Sequence, residues 1–323
     1  MTDVTTIGEV LIDFTPSGVS PQGNPLFEQN PGGAPANVAV CLSRLGCSAA
    51  VIGKVGADQF GEFLKNTLDR AGVLTEGLVR TERCGTTLAF VHLSETGDRS
   101  FSFYRNPGAD LLLEPADLKL ELIDKCSILH FGSVSMTGEP SRSATLEAVG
   151  YAREKGKIIS YDPNLRLNLW SSPEEARNRI MAAVHMADIL KVSDDELLFL
   201  TGEKDMETGA KTLMTDYNIK LVLVTAGPRG AHAFSSQGSA FHPAYSVKTI
   251  DTTGAGDAFI GGFLYQLIKS GREPESLTQN ELKEFLAFGN AVGSLVTTRK
   301  GGIPAMPDIN EVEACMAECG LEG

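Results

Sequence analysis

The segment Asp251-Thr-Thr-Gly254-Ala255-Gly256-Asp257 runs directly into an apolar stretch over residues 258–268. The pattern predicts a helix that starts at the end of a small-residue loop. Its first amides then point outward with the positive end of the helix dipole. Such an end binds phosphate or stabilises negative charge that develops during a reaction. Gly254 and Gly256 allow a ligand close to the backbone, and Asp257 adds a carboxylate in the same first turn. A base beside an anion hole is the pair needed to move a phosphoryl group onto an alcohol. The carboxylate accepts the hydroxyl proton, and the amides of the helix end hold charge on the transferred group. Taken alone, a plain acidic helix start explains the segment equally well.

Two further glycine loops precede predicted helices or follow predicted strands. Pro31-Gly32-Gly33-Ala34-Pro35-Ala36-Asn37 leads into a helix over 38–45 that Gly46 closes. Its glycines permit close approach, and Asn37 offers both a donor and an acceptor, which suits a neutral polyol. Thr225-Ala-Gly227-Pro-Arg-Gly230 follows the apolar run 221–224, the place where α/β sheets bind ligands. The chain has no G-x-x-x-x-G-K-[ST] and no G-x-G-x-x-G with an acidic residue about 20 positions on. Those absences count against a P-loop kinase and a dinucleotide dehydrogenase. Polar residues also gather at predicted strand ends: Asp13, Asp162-Pro-Asn164-Leu-Arg166, Ser193-Asp-Asp-Glu196 and Phe103-Tyr-Arg105. Any one of them reads as a structural ion pair, but several at carboxyl ends favour a shared cleft. The five histidines show no triad or metal spacing and are read as structural.

The elements that must position these residues alternate. Apolar runs over 5–12, 49–54, 127–131, 157–161, 189–192 and 221–225 suit parallel strands buried on both faces. Phe60, Phe63, Leu64 and Leu68 keep helical spacing before Gly72, and Ser172-Pro173-Glu174-Glu175 reads as a capped helix start. The alternation predicts a doubly wound, mostly parallel α/β sheet flanked by helices. Runs over 86–93 and 99–105 around the loop 94–98, with the Pro/Gly-punctuated stretch 12–29, predict a small antiparallel sheet outside it.

Composition bounds the rest. The 323 residues are 42% hydrophobic and 21% charged, a globular balance with no low-complexity tract. With 28 basic against 41 acidic residues the net charge is −13, which argues against nucleic acid and anionic membrane surfaces. No apolar run is long enough to span a membrane. The opening residues lack a basic start and a secretory core, so a cytoplasmic location is expected. The six cysteines form no C-x-x-C pair and read as ordinary reduced thiols.

The residues quoted above resemble the phosphofructokinase-B, or ribokinase-like, carbohydrate kinases, and among these the fructokinases. Gly32-Gly33-Ala34-Pro35-Ala36-Asn37-Val38-Ala39 with Gly46 and Gly56 is similar to the family's N-terminal signature, and 251–264 to its C-terminal one. Phe103-Tyr-Arg-Asn-Pro-Gly-Ala-Asp110 and Tyr161-Asp-Pro-Asn-Leu-Arg166 with Trp170 look fructokinase-like. The resemblance, over about residues 4–310, implies one ribokinase-like domain whose β lid is inserted from about 12–30 and 86–107. It implies ATP-dependent phosphorylation of D-fructose at the 6-hydroxyl, with Asp257 as the base. Asp13, Gly32, Gly33, Asn37, Phe103, Arg105 and Arg166 match sugar-side positions. Asn164, Ser193, Thr225, Gly227, Gly230, Gly256 and Asn290 match nucleotide-side ones. Glu196 matches the acidic residue that orients Mg²⁺ through water, although Ser193 stands where the family usually has Asn. Asp251, Thr253, Val296 and Gly301 match positions lining a K⁺ site in several members, with Ala305 replacing a frequent Ser. The lid pairs two subunits in some members, which makes a homodimer an expectation. A 2-keto-3-deoxygluconate kinase is the competing substrate reading, and a non-catalytic sugar-binding regulator the competing class.

Overall fold

The computed structural model describes residues 2–93 and 99–319. Its thirteen strands are β1 (Val4–Ile7), β2 (Leu11–Val19), β3 (Pro25–Gly32), β4 (Ala49–Gly56), β5 (Leu74–Thr81), β6 (Leu88–Leu93), β7 (Arg99–Tyr104), β8 (Ile128–Gly132), β9 (Ile158–Asp162), β10 (Ile189–Ser193), β11 (Leu221–Thr225), β12 (Ala231–Ser235) and β13 (Gly238–His242). Nine of them form one sheet in the order β13-β12-β11-β10-β9-β8-β1-β4-β5. Its members from β11 to β5 run parallel, and β12 and β13 close the edge as an antiparallel hairpin. The apolar runs sit where continuous burial demands them: β4 and β8 are buried along their whole length. The hydrophobic core divides into two clusters. Val51, Leu223 and Phe263 belong to one, and Leu129, Tyr161 and Val222 to the other. That division is what the expected doubly wound sheet requires.

The first expected strand, 5–12, is two elements. β1 ends at Ile7, Gly8 turns the chain with φ +148°, and Leu11 begins β2 in the second sheet. Apolarity alone could not separate them, because both halves are buried. Asp13 therefore lies in the lid strand β2 and does not close a strand of the main sheet. The sequence pattern also missed β5, whose buried and exposed residues alternate, and the β12–β13 hairpin.

The second sheet has the order β3-β2-β6-β7 and forms the expected lid. Its two hairpins, β2–β3 and β6–β7, are antiparallel, whereas β2 and β6 pair in parallel. The long connection from β3 to β6 passes through β4 and β5 of the main sheet and so permits the parallel join. The loop expected at 94–98 lies outside the described residues. Among the described residues no helix is long and apolar enough to cross a membrane, and the cysteines described in full are free thiols.

One side chain ties the lid to the sheet. Asp58 caps the Gln59–Arg70 helix through Gly61 N–H at 2.8 Å, and it also accepts Thr86 N–H and Thr86 Oγ1–H, both at 2.7 Å. These bonds hold its carboxyl below the usual range against the opposing effect of burial. Asp58→Ala removes the cap and leaves the buried Thr86 donors unpaired, a loss of about 2 kcal/mol. Thermal unfolding should then show a midpoint several degrees lower, with Asp58→Asn recovering part of it.

Candidate active site

The Ala255–Ser270 helix begins at Gly254, whose φ of +78° places it in the left-handed region. A Cβ there would lie 3.0 Å from Gly302 Cα, so glycine is needed both for conformation and for space. No side chain caps this helix. Ala255 N–H turns back to Thr252 O at 3.3 Å, and the amides of Gly256 and Asp257 come next in the turn. Residues 258–264 of the helix are apolar and packed in the core, so its amino end is fixed relative to the sheet.

Asp257 is 7% exposed. Asn37, from the Ala34–Arg44 helix, donates Nδ2–H to its Oδ2 at 2.7 Å. Asn164, in the left-handed region at φ +47°, brings Nδ2 to 3.4 Å from Oδ1. Asn tolerates that backbone better than most residues, and its own N–H is held by Asp162 Oδ1 at 3.1 Å. Burial raises the Asp257 carboxyl to about 6, and Asp162 pushes the same way. The Asn37 bond, then Lys191 and Arg166, oppose it. The result is a carboxylate that is ionised at neutral pH yet basic enough to take a proton.

Two cavities meet at this helix end. The larger, about 920 Å³, opens below the lid and is lined by Asp13, Gly33, Asn37, Phe103, Arg166 and Asp257. The smaller, about 570 Å³, is lined by Thr225, Gly227, Gly230 and Asn290. Thr252, Ala255 and Gly256 line both. Most residues expected on the sugar side thus share one cavity, and the glycine loop expected on the nucleotide side shares the other.

Several residues sit elsewhere than expected. Asn164 and Ser193, expected on the nucleotide side, line the larger cavity. Ser193 Oγ accepts Glu196 N–H at 3.1 Å and caps the Asp194–Thr201 helix. Gly32 and Arg105 line neither cavity. Gly32 packs on Asp13, where a Cβ would lie 2.1 Å from Oδ2. The Arg105 guanidinium is spent on Asp110 Oδ2, Thr137 Oγ1 and Val134 O at 2.7, 2.7 and 3.0 Å, which braces the foot of the lid. Asn290 lines its cavity but donates Nδ2–H to His242 O and Pro243 O at 2.8 and 3.1 Å, holding the wall.

The metal expectations divide similarly. Glu196 accepts Leu165 N–H at 2.7 Å and Ser193 N–H at 2.8 Å, so each oxygen already holds one backbone donor. Asp251 gathers Thr253 N–H and Oγ1–H and Gly301 N–H at 2.8, 2.7 and 3.0 Å. Val296 is buried, and its carbonyl accepts Arg299 N–H at 3.3 Å. Among the described residues no group of three or more His, Cys, Asp or Glu is arranged around a metal position.

Two residues escaped the sequence reading because each lay inside an apolar run. Lys191 interrupts β10 and is 6% exposed. Its Nζ pairs with Asp162 Oδ2 at 2.9 Å, and it would lie 2.8 Å from a Cβ on Gly256. Burial alone would lower this ammonium, but Asp162, Glu196 and Asp257 more than offset that and hold it above its ordinary value. Glu9, in the break between β1 and β2, also lines the larger cavity. A charged residue inside an apolar run was the available signal in both cases.

Residues 1–309 match the pfkB family carbohydrate kinase domain. The chain belongs to that family. A probable fructokinase-3 of Arabidopsis thaliana is 47% identical over 315 residues, covering 96% of this chain and 90% of the relative. A fructokinase from Xylella fastidiosa with bound ATP superimposes with a TM-score of 0.91 at 35% identity, covering 99% of this chain and all of the other. A fructokinase from Vibrio cholerae O395, solved with fructose, ADP and a calcium ion, gives 0.88 at 37% identity, covering 98% and 99%. As a pfkB kinase the chain is an ATP-dependent sugar phosphotransferase, and the expected fold is the one its relatives share.

Lys191→Met tests the ion cluster. Removing an ammonium that favours the Asp257 carboxylate should move the acid limb of kcat/KM above pH 6, and kcat should fall at least tenfold. Arginine at this position should keep the limb near its original pH. The pH–rate profiles of the two variants measure both effects.

Proposed function

We propose that this kinase phosphorylates D-fructose on its 6-hydroxyl with ATP, and that Asp257 is the general base. The observation that carries the reading is the meeting of a hydroxyl-suited cavity and a glycine-loop cavity at one uncapped helix end beside a buried carboxylate. Fructokinases over the whole length of the chain support fructose as the acceptor. So does the wall charge: Glu9, Asp13, Asp195, Glu196 and Asp257 face Arg166 and Lys191, and Lys191 is already paired with Asp162. That surplus of carboxyl groups disfavours an acidic acceptor such as a keto-deoxy sugar acid.

The sugar lies beneath the lid against Asp13, Gly33 and Asn37, with Phe103 over it and Arg166 at the side. Burial, more than the neighbouring charges, raises the Asp13 carboxyl to about 7, which suits hydrogen bonds in either direction with hydroxyl groups. ATP lies along the smaller cavity past Thr225, Gly227, Gly230 and Asn290. The primary hydroxyl attacks the γ-phosphorus in line, its proton passes to Asp257, and the bond to the ADP oxygen breaks. Gly256 and Asp257 amides and the Lys191 ammonium take up the charge on the transferred group. Glu196, with one lone pair on each oxygen still open, fits a Mg²⁺ held mainly by phosphate oxygens and water. When bound, that ion would offset phosphate charge. Backbone carbonyls around Asp251, Thr253, Val296 and Gly301 would have to supply most of any K⁺ site, since the Asp251 carboxylate is occupied by donors. A second copy covering Leu26, Phe27 and Tyr104, exposed on the lid, would give the homodimer.

ADP release measured with fructose, 2-keto-3-deoxygluconate, ribose and glucose tests the substrate, and fructose should have the highest kcat/KM. No turnover of any sugar would favour a binding protein. Asp257→Asn should lower kcat at least ~10²-fold while ATP binding, measured by calorimetry, changes little. Near-wild-type turnover in this variant would remove Asp257 from its role.

A further inference from the structure

The wall beneath the lid holds one carboxyl group that neither phosphoryl transfer nor the fold fully uses. Glu9 is 4% exposed and lines the larger cavity. Its Oε1 accepts Ala34 N–H at 3.1 Å, at the start of the Ala34–Arg44 helix. Its Oε2 is buried and has no hydrogen-bond partner. Arg105 attracts this carboxyl from the lid, but the guanidinium donates to Asp110, Thr137 and Val134. A buried carboxyl oxygen without a donor is unfavourable, and the cavity that Glu9 lines is where a partner can be supplied.

We propose that Glu9 Oε2 hydrogen-bonds a hydroxyl of the acceptor sugar, which makes Glu9 a specificity-determining residue of the pocket. The proposal rests on the reading of this cavity as a ketose site. The backbone places Glu9 for it. Gly33 sits at φ +107°, and a Cβ there would lie 2.3 Å from Glu9 O, so the turn that carries Gly33 towards Asn37 is laid directly on Glu9. Titration agrees. Burial raises the Glu9 carboxyl to about 7, Asp110 adds to the rise, and Glu9's own N–H, Arg105 and Ala34 N–H oppose it. Around neutral pH the group can therefore accept from a hydroxyl or donate to one. Helix capping alone needs only Oε1, and a glutamine carbonyl would serve it as well.

Glu9→Gln tests this directly, because it keeps the cap and the shape and exchanges the carboxyl for an amide. The KM for fructose should rise at least tenfold while the KM for ATP stays within twofold. A series of 1-, 3- and 4-deoxyfructose locates the contact. The analogue that lacks the bound hydroxyl should be a poor substrate for the wild type and lose nothing further in the variant. Glu9→Asp, which keeps the charge but withdraws the oxygen, should show the same selective loss, so the result does not hang on one variant's folding. An unchanged KM for fructose in both variants overturns the assignment, and so do penalties that simply multiply for every analogue. A wild-type enzyme that ignores fructose overturns both the ketose reading and this inference. Turnover of fructose with indifferent Glu9 variants overturns the inference alone.

Discussion

A carboxylate buried in the first turn of a helix has lost most of its water, and it must be held by groups from elsewhere in the chain. Asp257 is in that position, and meeting its needs orders the cleft. Asn37 reaches it from a helix 220 residues earlier in sequence, and Asn164 from the turn after β9. Lys191 stands in the neighbouring strand β10, paired to Asp162 at the end of β9. Each partner lies where its element ends at, or crosses, the same edge of the main sheet. The lid strand β2 brings Asp13 to the cavity from above. With Asp257 as the proposed base, the sheet order matters to the chemistry through one requirement, that the proton acceptor remain charged and aimed inside the protein.

The same arrangement explains how a chain of net charge −13 can hold a triphosphate. Extended polyanions need an extended basic surface, but one phosphoryl group needs only a few donors in a fixed place. On the proposed reading the uncapped helix end supplies amides, and Lys191, a buried cation whose charge Asp162 preserves, supplies the rest. The overall charge is then free to serve other ends, among them repulsion of acidic acceptors from a cavity rich in carboxyl groups.

Much of this was legible in the residues. The parallel core of the sheet follows from continuous apolar runs, and the helix end from a Gly-Ala-Gly-Asp segment before an apolar stretch. What was not legible has identifiable causes. The break at Gly8 lies between two buried segments, so burial gave no sign that Asp13 belongs to the lid. Arg105 and Gly32 are expected at the sugar because they match sugar-side positions of the family the sequence resembles, yet one is consumed by Asp110, Thr137 and Val134 and the other packs behind Asp13. Lys191 and Glu9 were absorbed into strands by their apolar neighbours. Side-chain partners across a sheet edge are set by tertiary register, which a single sequence does not print.

On the proposed reading, phosphoryl transfer takes place where the two cavities meet. A crystal structure with fructose, ADP and aluminium fluoride, which takes the place of the transferred phosphoryl group, tests that most directly. The fluoride group should lie within hydrogen-bond distance of the Gly256 and Asp257 amides and of Lys191 Nζ, with the sugar oxygen in line and hydrogen-bonded to Asp257. A fluoride group seated away from the helix end, or a sugar hydroxyl directed to another base, would contradict it.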